Sequence, residues 1–171
     1  KQVNKTVTKP LVSIIIPTYN QSRLLGKTIN SAQMQDYENI EIIVIDDRST
    51  DDTHLVVTEI MQNDPRVKYF VTERQSNLPA VPRNLGISNS QGEIIAFLDH
   101  DDLWRKKKLT VQLEEFIKSE DVTMVFSPLW QFSGRNYFWG LVLLRPPVGK
   151  VSQSSLMIRN PIQCSSVLVR K

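Results

Sequence analysis

The stretch Gly92–Trp104, GEIIAFLDHDDLW, decides the fold. Ile94, Ile95, Ala96, Phe97 and Leu98 form an apolar run with the length and β-branched content of a strand buried on both faces, as in the interior of a parallel sheet. The run stops at Asp99, Asp101 and Asp102, which therefore sit at a strand's carboxyl end. Open α/β sheets bind ligands at that edge. Asp99 and Asp101, two positions apart at an irregular turn, can converge on one point, and such a point suits a divalent cation. The alternative is that these acids cap the following helix, but a cap needs one acid and the turn supplies three.

Working outward, the same strand-loop-helix pattern recurs. Val12–Ile16 is a second apolar run, with Pro17 marking the strand's end because it cannot donate to a ladder. Asn20–Ser22 offers N-cap chemistry for a helix carrying Leu24, Leu25, Ile29 and Ala32. Ile42–Ile45 is a third run and ends at Asp46 and Asp47. Ser49 and Asp52 then resemble a capping box for a helix carrying Leu55, Val56 and Ile60. Val67–Val71 reads as a strand and Pro82–Ser88 as a short helix leading through Gly92 into the central run. After the acidic turn, Leu109, Leu113, Phe116 and Ile117 keep helical spacing, and Val122–Phe126 returns as a strand. Alternation of this kind predicts right-handed crossovers and a mainly parallel central sheet flanked by helices, a single α/β domain. From Ser127 the pattern weakens. Trp130, Phe132, Tyr137, Phe138 and Trp139 suggest a long loop or hairpin packed on the core, with a sugar-stacking platform as the alternative.

Composition narrows the function classes. The 171 residues, 40% hydrophobic and 23% charged, suit one soluble globular domain. A net charge of +3 is too small to argue for nucleic acid, and the cluster Arg105–Lys108 reads as a solvated helix face rather than a phosphate contact. Cys164 is alone, which fits a reducing compartment. Phe138–Leu144 has seven apolar residues against the roughly 20 needed to span a bilayer, so no transmembrane segment is expected. Residues 1–10 read as a polar lead-in without a signal-peptide core.

Three strand ends carry polar groups: Thr18, Tyr19 and Asn20, then Asp46 and Asp47, then Asp99, Asp101 and Asp102. In a parallel sheet they share one edge. Five acids there repel one another unless a cation neutralises them, and oxygen ligands favour Mg²⁺ or Mn²⁺ bound together with substrate phosphates. Asp47, on a different strand, is then free for a base or ribose. His54 reads as a helix-surface residue and His100 as a spacer between two ligands.

VSIIIPTYN at Val12–Asn20, VIDDRSTDDT at Val44–Thr53, PRNLGI at Pro82–Ile87 and FLDHDD at Phe97–Asp102 together resemble the nucleotide-sugar-binding part of a family 2 glycosyltransferase with the GT-A fold, a Rossmann-like architecture. NPIQCSSVLVRK at Asn160–Lys171 resembles the family segment leading to the acceptor site. The resemblance implies one domain over residues 11–171. Within it, Pro17 and Tyr19 line the base and ribose, Asp47 reads the base, and Arg83 contacts the nucleotide, against the alternative of a helix-surface ion pair. Asp101 becomes the direct metal ligand and Asp99 the DxD partner nearer the ribose and diphosphate; Thr18, Asn20 and His100 fall in the same nucleotide-sugar site. It further implies a UDP-sugar donor, Mn²⁺ or Mg²⁺, inverting transfer to a saccharide or lipid-linked acceptor in cell-surface polysaccharide biosynthesis, and a place in the cytoplasm or at the membrane's inner face. The family's general base lies in an acid-rich pattern beyond the segment that ends this sequence, so the domain reads as truncated before it. The rival readings are a nucleotide-binding module without activity and a phosphohydrolase of the haloacid dehalogenase type, which shares a strand ending in DxD but carries its nucleophile near the first strand.

Overall fold

The computed structural model describes residues 9–118, 121–128, 131–133, 136–140 and 162–171. The elements are β1 (Val12–Thr18), α1 (Ser22–Gln33), β2 (Ile40–Asp46), α2 (Thr53–Asn63), β3 (Val67–Val71), α3 (Ala80–Asn89), β4 (Ile94–Phe97), α4 (Lys108–Lys118), β5 (Met124–Phe126), β6 (Gln131–Ser133), β7 (Asn136–Gly140) and β8 (Val167–Arg170). Six strands form one sheet in the order β3-β2-β1-β4-β8-β5. β1, β2, β3 and β4 run parallel, and β8 runs antiparallel between β4 and β5. This is the mainly parallel α/β sheet expected from the apolar runs, and every residue of β1 and β2 is buried. The core joins Ile14, Ile16, Ile42 and Val44 of these strands to Leu25 and Ile29 of α1 and Leu109, Leu113 and Phe116 of α4.

Residues 1–8 and 141–161, Trp130 among the aromatic cluster, and most of Phe138–Leu144 lie outside the described residues. β6 and β7 pair as an antiparallel hairpin, one of the two forms expected after Ser127.

Several local expectations are corrected. Pro17 does not end β1: the strand runs through Thr18, and Pro17 pairs in register with Ile45. A central strand tolerates this proline because β4 pairs with β1 only as far as Ile15. The Pro17 carbonyl faces the His100 ring, 3.2 Å away, so the missing N–H lies on an edge where no ladder continues. Leu24, Leu55 and Ile117 are exposed, and Thr28, Val57 and Gln112 take the inward positions instead. The cluster Arg105–Lys108 is not a helix face: α4 begins at Lys108, and the three residues before it sit in the preceding turn. The Lys108 ammonium lies 4.0 Å from the Trp104 ring centroid and donates to Gln112 Oε1 at 2.6 Å, and burial pulls its pKa down to about 7. β8 was not anticipated, since its apolar part is only Val167–Val169. It is an inserted antiparallel strand in a parallel neighbourhood.

Neither expected N-cap forms. The caps of α1 and α2, Gln21 and Asp52, make no side-chain bond. One carboxylate serves both helices: Asp51 Oδ2 accepts the Ser22 N–H at 3.0 Å, and Oδ1 accepts the Thr53 N–H at 3.1 Å and the Thr53 hydroxyl at 2.5 Å. Burial raises the Asp51 pKa, but these hydrogen bonds outweigh it and bring it down to about 2. A depressed carboxylate contributes stability above its unfolded pKa and loses it as pH falls through the folded value. Asp51→Ala is therefore expected to lower the unfolding free energy by about 1 to 2 kcal/mol at pH 7. The gap to the parent closes as pH falls from the ordinary carboxylate range toward 2, which urea unfolding across a pH series measures.

Candidate functional site

β1 and β2 end in register, Thr18 opposite Asp46, and β4 ends beside Ile15, so the loops that follow all open on one edge. There Pro17, Thr18, Tyr19, Asp47, Arg83, Asp99, His100 and Asp101 line a single cleft of about 450 Å³. Eight of the nine residues expected at the site are thus brought together. Asn20 is placed one step back. It adopts φ 50°, accepts the Thr50 N–H at 2.7 Å and donates its own N–H to Ser49 Oγ at 2.9 Å, tying the β1–α1 loop to the β2–α2 loop.

The acids separate by environment. Asp46, 2% exposed, accepts the Ser49 N–H and hydroxyl through Oδ1 and the Tyr69 hydroxyl through Oδ2. It is absorbed into the fold and does not line the cleft. Burial, then the bond to this carboxylate, raises the Tyr69 phenol far above its ordinary value. Asp47 turns the other way, into the cleft wall. Its carboxylate accepts the Thr72 hydroxyl at 2.9 Å, the Ser76 N–H at 3.1 Å and the Ser76 hydroxyl at 2.8 Å. These bonds hold the β3–α3 loop against the site, where Gln75, Asn77, Leu78 and Pro79 complete the lining. Sequence reasoning left residues 72–81 unassigned because no apolar period runs through them. The Asn77–Leu78–Pro79 turn, with Asn77 at φ 55°, was the available signal.

Asp99 ends the strand run and pairs with Arg83 of α3, Nη2 to Oδ1 at 2.5 Å. Arg83 thus forms the ion pair of the alternative reading and also lines the cleft. Its Nε is buried without a partner, as is Thr18 Oγ1 in the same wall. Unsatisfied buried polar atoms are uncommon and costly, and two of them belong to residues lining this cleft. Asp101 is exposed. Asp102 is not the cap of α4, which starts six residues later. Its carboxyl is raised by burial first and by repulsion from Asp101 and Asp99 next. That mutual repulsion shows that the three acids of the turn share one field. Among the described residues no three His, Cys, Asp or Glu side chains form a ready metal cage. Two carboxylates still match what Mg²⁺ or Mn²⁺ takes from a protein when phosphate oxygens and water complete its shell.

Strand-end carboxylates around a cleft at the carboxyl edge of a mainly parallel sheet define an α/β protein with its candidate site at that edge. The chain belongs to glycosyl transferase family 2, whose family model matches residues 13–166. A GalNAc(5)-diNAcBac-PP-undecaprenol beta-1,3-glucosyltransferase of Campylobacter jejuni is 44% identical over 93 residues, 54% of this chain and 30% of that protein. Two solved structures share the fold. S. aureus TarS 1-349 in complex with UDP has a TM-score of 0.65 at 31% identity, covering 74% of this chain and 37% of its own. The mannosyltransferase PcManGT from Pyrobaculum calidifontis, in complex with GDP-Man and Mn²⁺, has a TM-score of 0.64 at 25% identity, covering 73% and 37%. The chain thus spans well under half the length of each of these proteins. The family match does not favour the phosphohydrolase alternative. No helix among the described residues is long and apolar enough to cross a membrane.

The split between Asp46 and Asp47 is testable. Asp46→Ala leaves the Tyr69 hydroxyl and the Ser49 N–H without their acceptor, and is expected to cost about 1 to 3 kcal/mol in urea unfolding. Asp47→Asn keeps an acceptor for Thr72 and Ser76 and is expected to unfold close to the parent.

Proposed function

We propose that the chain is the donor-binding part of an inverting glycosyltransferase of cell-surface polysaccharide biosynthesis, using a UDP-sugar with Mn²⁺ or Mg²⁺ and a saccharide or lipid-linked acceptor hydroxyl. The observation that carries this reading is the convergence of Tyr19, Asp47, Arg83, Asp99 and Asp101, from three strand ends and α3, on one cleft. The UDP complex of TarS and the lipid-linked substrate in the name of the C. jejuni relative support the donor and acceptor classes. The same reading has the chain work in the cytoplasm or at the membrane's inner face, which the lipid-linked substrate in that relative's name supports.

In this reading the half-exposed Tyr19 ring packs on the base, and Asp47 accepts a base N–H with the oxygen lone pairs that Thr72 and Ser76 leave open. Arg83 lines the cleft on the nucleotide's side while its Nη2 keeps Asp99 in place. Asp99 and Asp101 would hold the divalent cation, which supplies charge neutralisation for the departing nucleoside diphosphate. The chain's own contribution is to bind and orient the donor. Deprotonation of the acceptor hydroxyl is assigned to no residue of this chain.

UDP is expected to raise the melting temperature in Mn²⁺ or Mg²⁺ and to have no effect in excess EDTA, because three acids crowd the cleft. At a hundred times the dissociation constant, linkage gives about 2.7 kcal/mol, a shift of several degrees in a domain of this size. An equal shift in EDTA would remove the metal, and a larger shift with GDP than with UDP would reassign the base.

A further inference from the structure

The acid turn is held by a serine from the far end of the chain. Ser165, 1% exposed, lies in the 3₁₀ turn Cys164–Ser166 that leads into β8. Its Oγ accepts the Asp99 N–H at 2.9 Å. Its carbonyl accepts the Trp104 indole N–H at 2.8 Å. The turn is closed by the Asp102 N–H to the Asp99 carbonyl at 3.0 Å, and the Thr28 hydroxyl donates to the His100 carbonyl at 2.8 Å. One buried hydroxyl thus grips the first residue of the turn, α1 pins the second, and the turn's own backbone bond ties the fourth to the first.

The remaining member, Asp101, is left exposed beside the cleft between fixed neighbours. A turn carrying three carboxylates tends to spread, because its charges repel. A hydroxyl that accepts the backbone N–H at the head of the turn opposes this without adding charge. No aliphatic side chain can accept that bond.

We infer that Ser165 is a positioning residue for donor binding, its hydroxyl fixing the turn from which Asp99 and Asp101 meet the diphosphate of the nucleotide. This rests on the donor-binding reading above. Ser165 does not line the cleft and acts through Asp99. It also makes β8 part of the site, since displacing the segment Cys164–Ser166 displaces the acid turn. Groups that orient ligand-binding carboxylates typically change affinity by about 10- to 100-fold when removed.

The test is titration of the full chain with UDP in saturating Mn²⁺, and with uridine, which has the base and ribose but no diphosphate. Ser165→Ala is expected to weaken UDP about tenfold or more and to leave uridine unchanged. Ser165→Thr keeps the hydroxyl and is expected to restore UDP affinity. Gln112→Leu removes the 2.8 Å bond to the Ser166 carbonyl without touching the acid turn, so it is expected to lower the melting temperature and leave both affinities unchanged. Where Ser165→Ala does not fold, Ser165→Cys keeps the volume with only a weak donor and is expected to show the same selective loss. A Ser165→Ala or Ser165→Cys chain that binds UDP as tightly as the parent, or loses UDP and uridine equally, overturns the positioning role alone. A parent chain that binds no UDP overturns the donor-binding reading, and this inference with it.

Discussion

Everything at the site depends on β1 being buried from end to end between two parallel neighbours. Val12–Thr18 pairs residue by residue with β2 along its whole length, but with β4 only from Val12 to Ile15. The strands therefore leave the sheet at staggered heights, and the step beyond β4 is where the acid turn folds back toward Pro17 and α1. Packing on both faces fixes the register, since a slip of one residue would move every side chain to the opposite face, against neighbours packed around a different one. The positions of Asp47 and Asp99 relative to each other are thus consequences of packing several residues earlier.

Such an edge concentrates negative charge, and the fold manages it without removing the acids. Asp46 and Asp51 are spent on structure, one anchoring Ser49 and Tyr69, the other capping two helices. Asp102 is tied back to Asp99 through its backbone N–H, and Arg83 partners Asp99. Asp101, exposed, stays most open toward solvent. Asp47 lies between these extremes: its bonds to Thr72 and Ser76 shape the cleft wall while its carboxylate still forms part of the lining.

The strands were legible because a strand buried on both faces writes itself as an uninterrupted apolar run. Val67–Val71 has the same bounds in sequence and structure, and the central run differs only in that Leu98 lies just past β4. The residues of the cleft were legible through the same strand ends and through their resemblance to a known family. Illegible were the contacts made across the chain. Asp51 reaches back 29 positions to cap α1, and Ser165 reaches 66 positions to the acid turn. A cap taken from another loop leaves no local signature, so Asn20 and Ser49 looked like the capping residues. β8 was missed because three apolar residues are too few for periodicity to register, and only the empty position beside β4 gives them a partner.

The Arg83–Asp99 pair bears on what the cleft can select. The two side chains are 19% and 34% exposed, so the pair is neither a free surface contact nor a sealed one. In the absence of ligand Arg83 supplies the positive charge that the acid turn lacks. A ligand that brings cation and phosphate together offers both partners a replacement at once: the cation for Asp99 and the phosphate for Arg83. A nucleoside offers neither, and a bare cation serves Asp99 while leaving the guanidinium, with its buried Nε already unpaired, without a partner. Loss of a partner in a half-desolvated site is costly. Under the donor-binding reading proposed above, the pairing of Arg83 with Asp99, rather than the number of acids at the edge, would favour a diphosphate with its cation over either part alone.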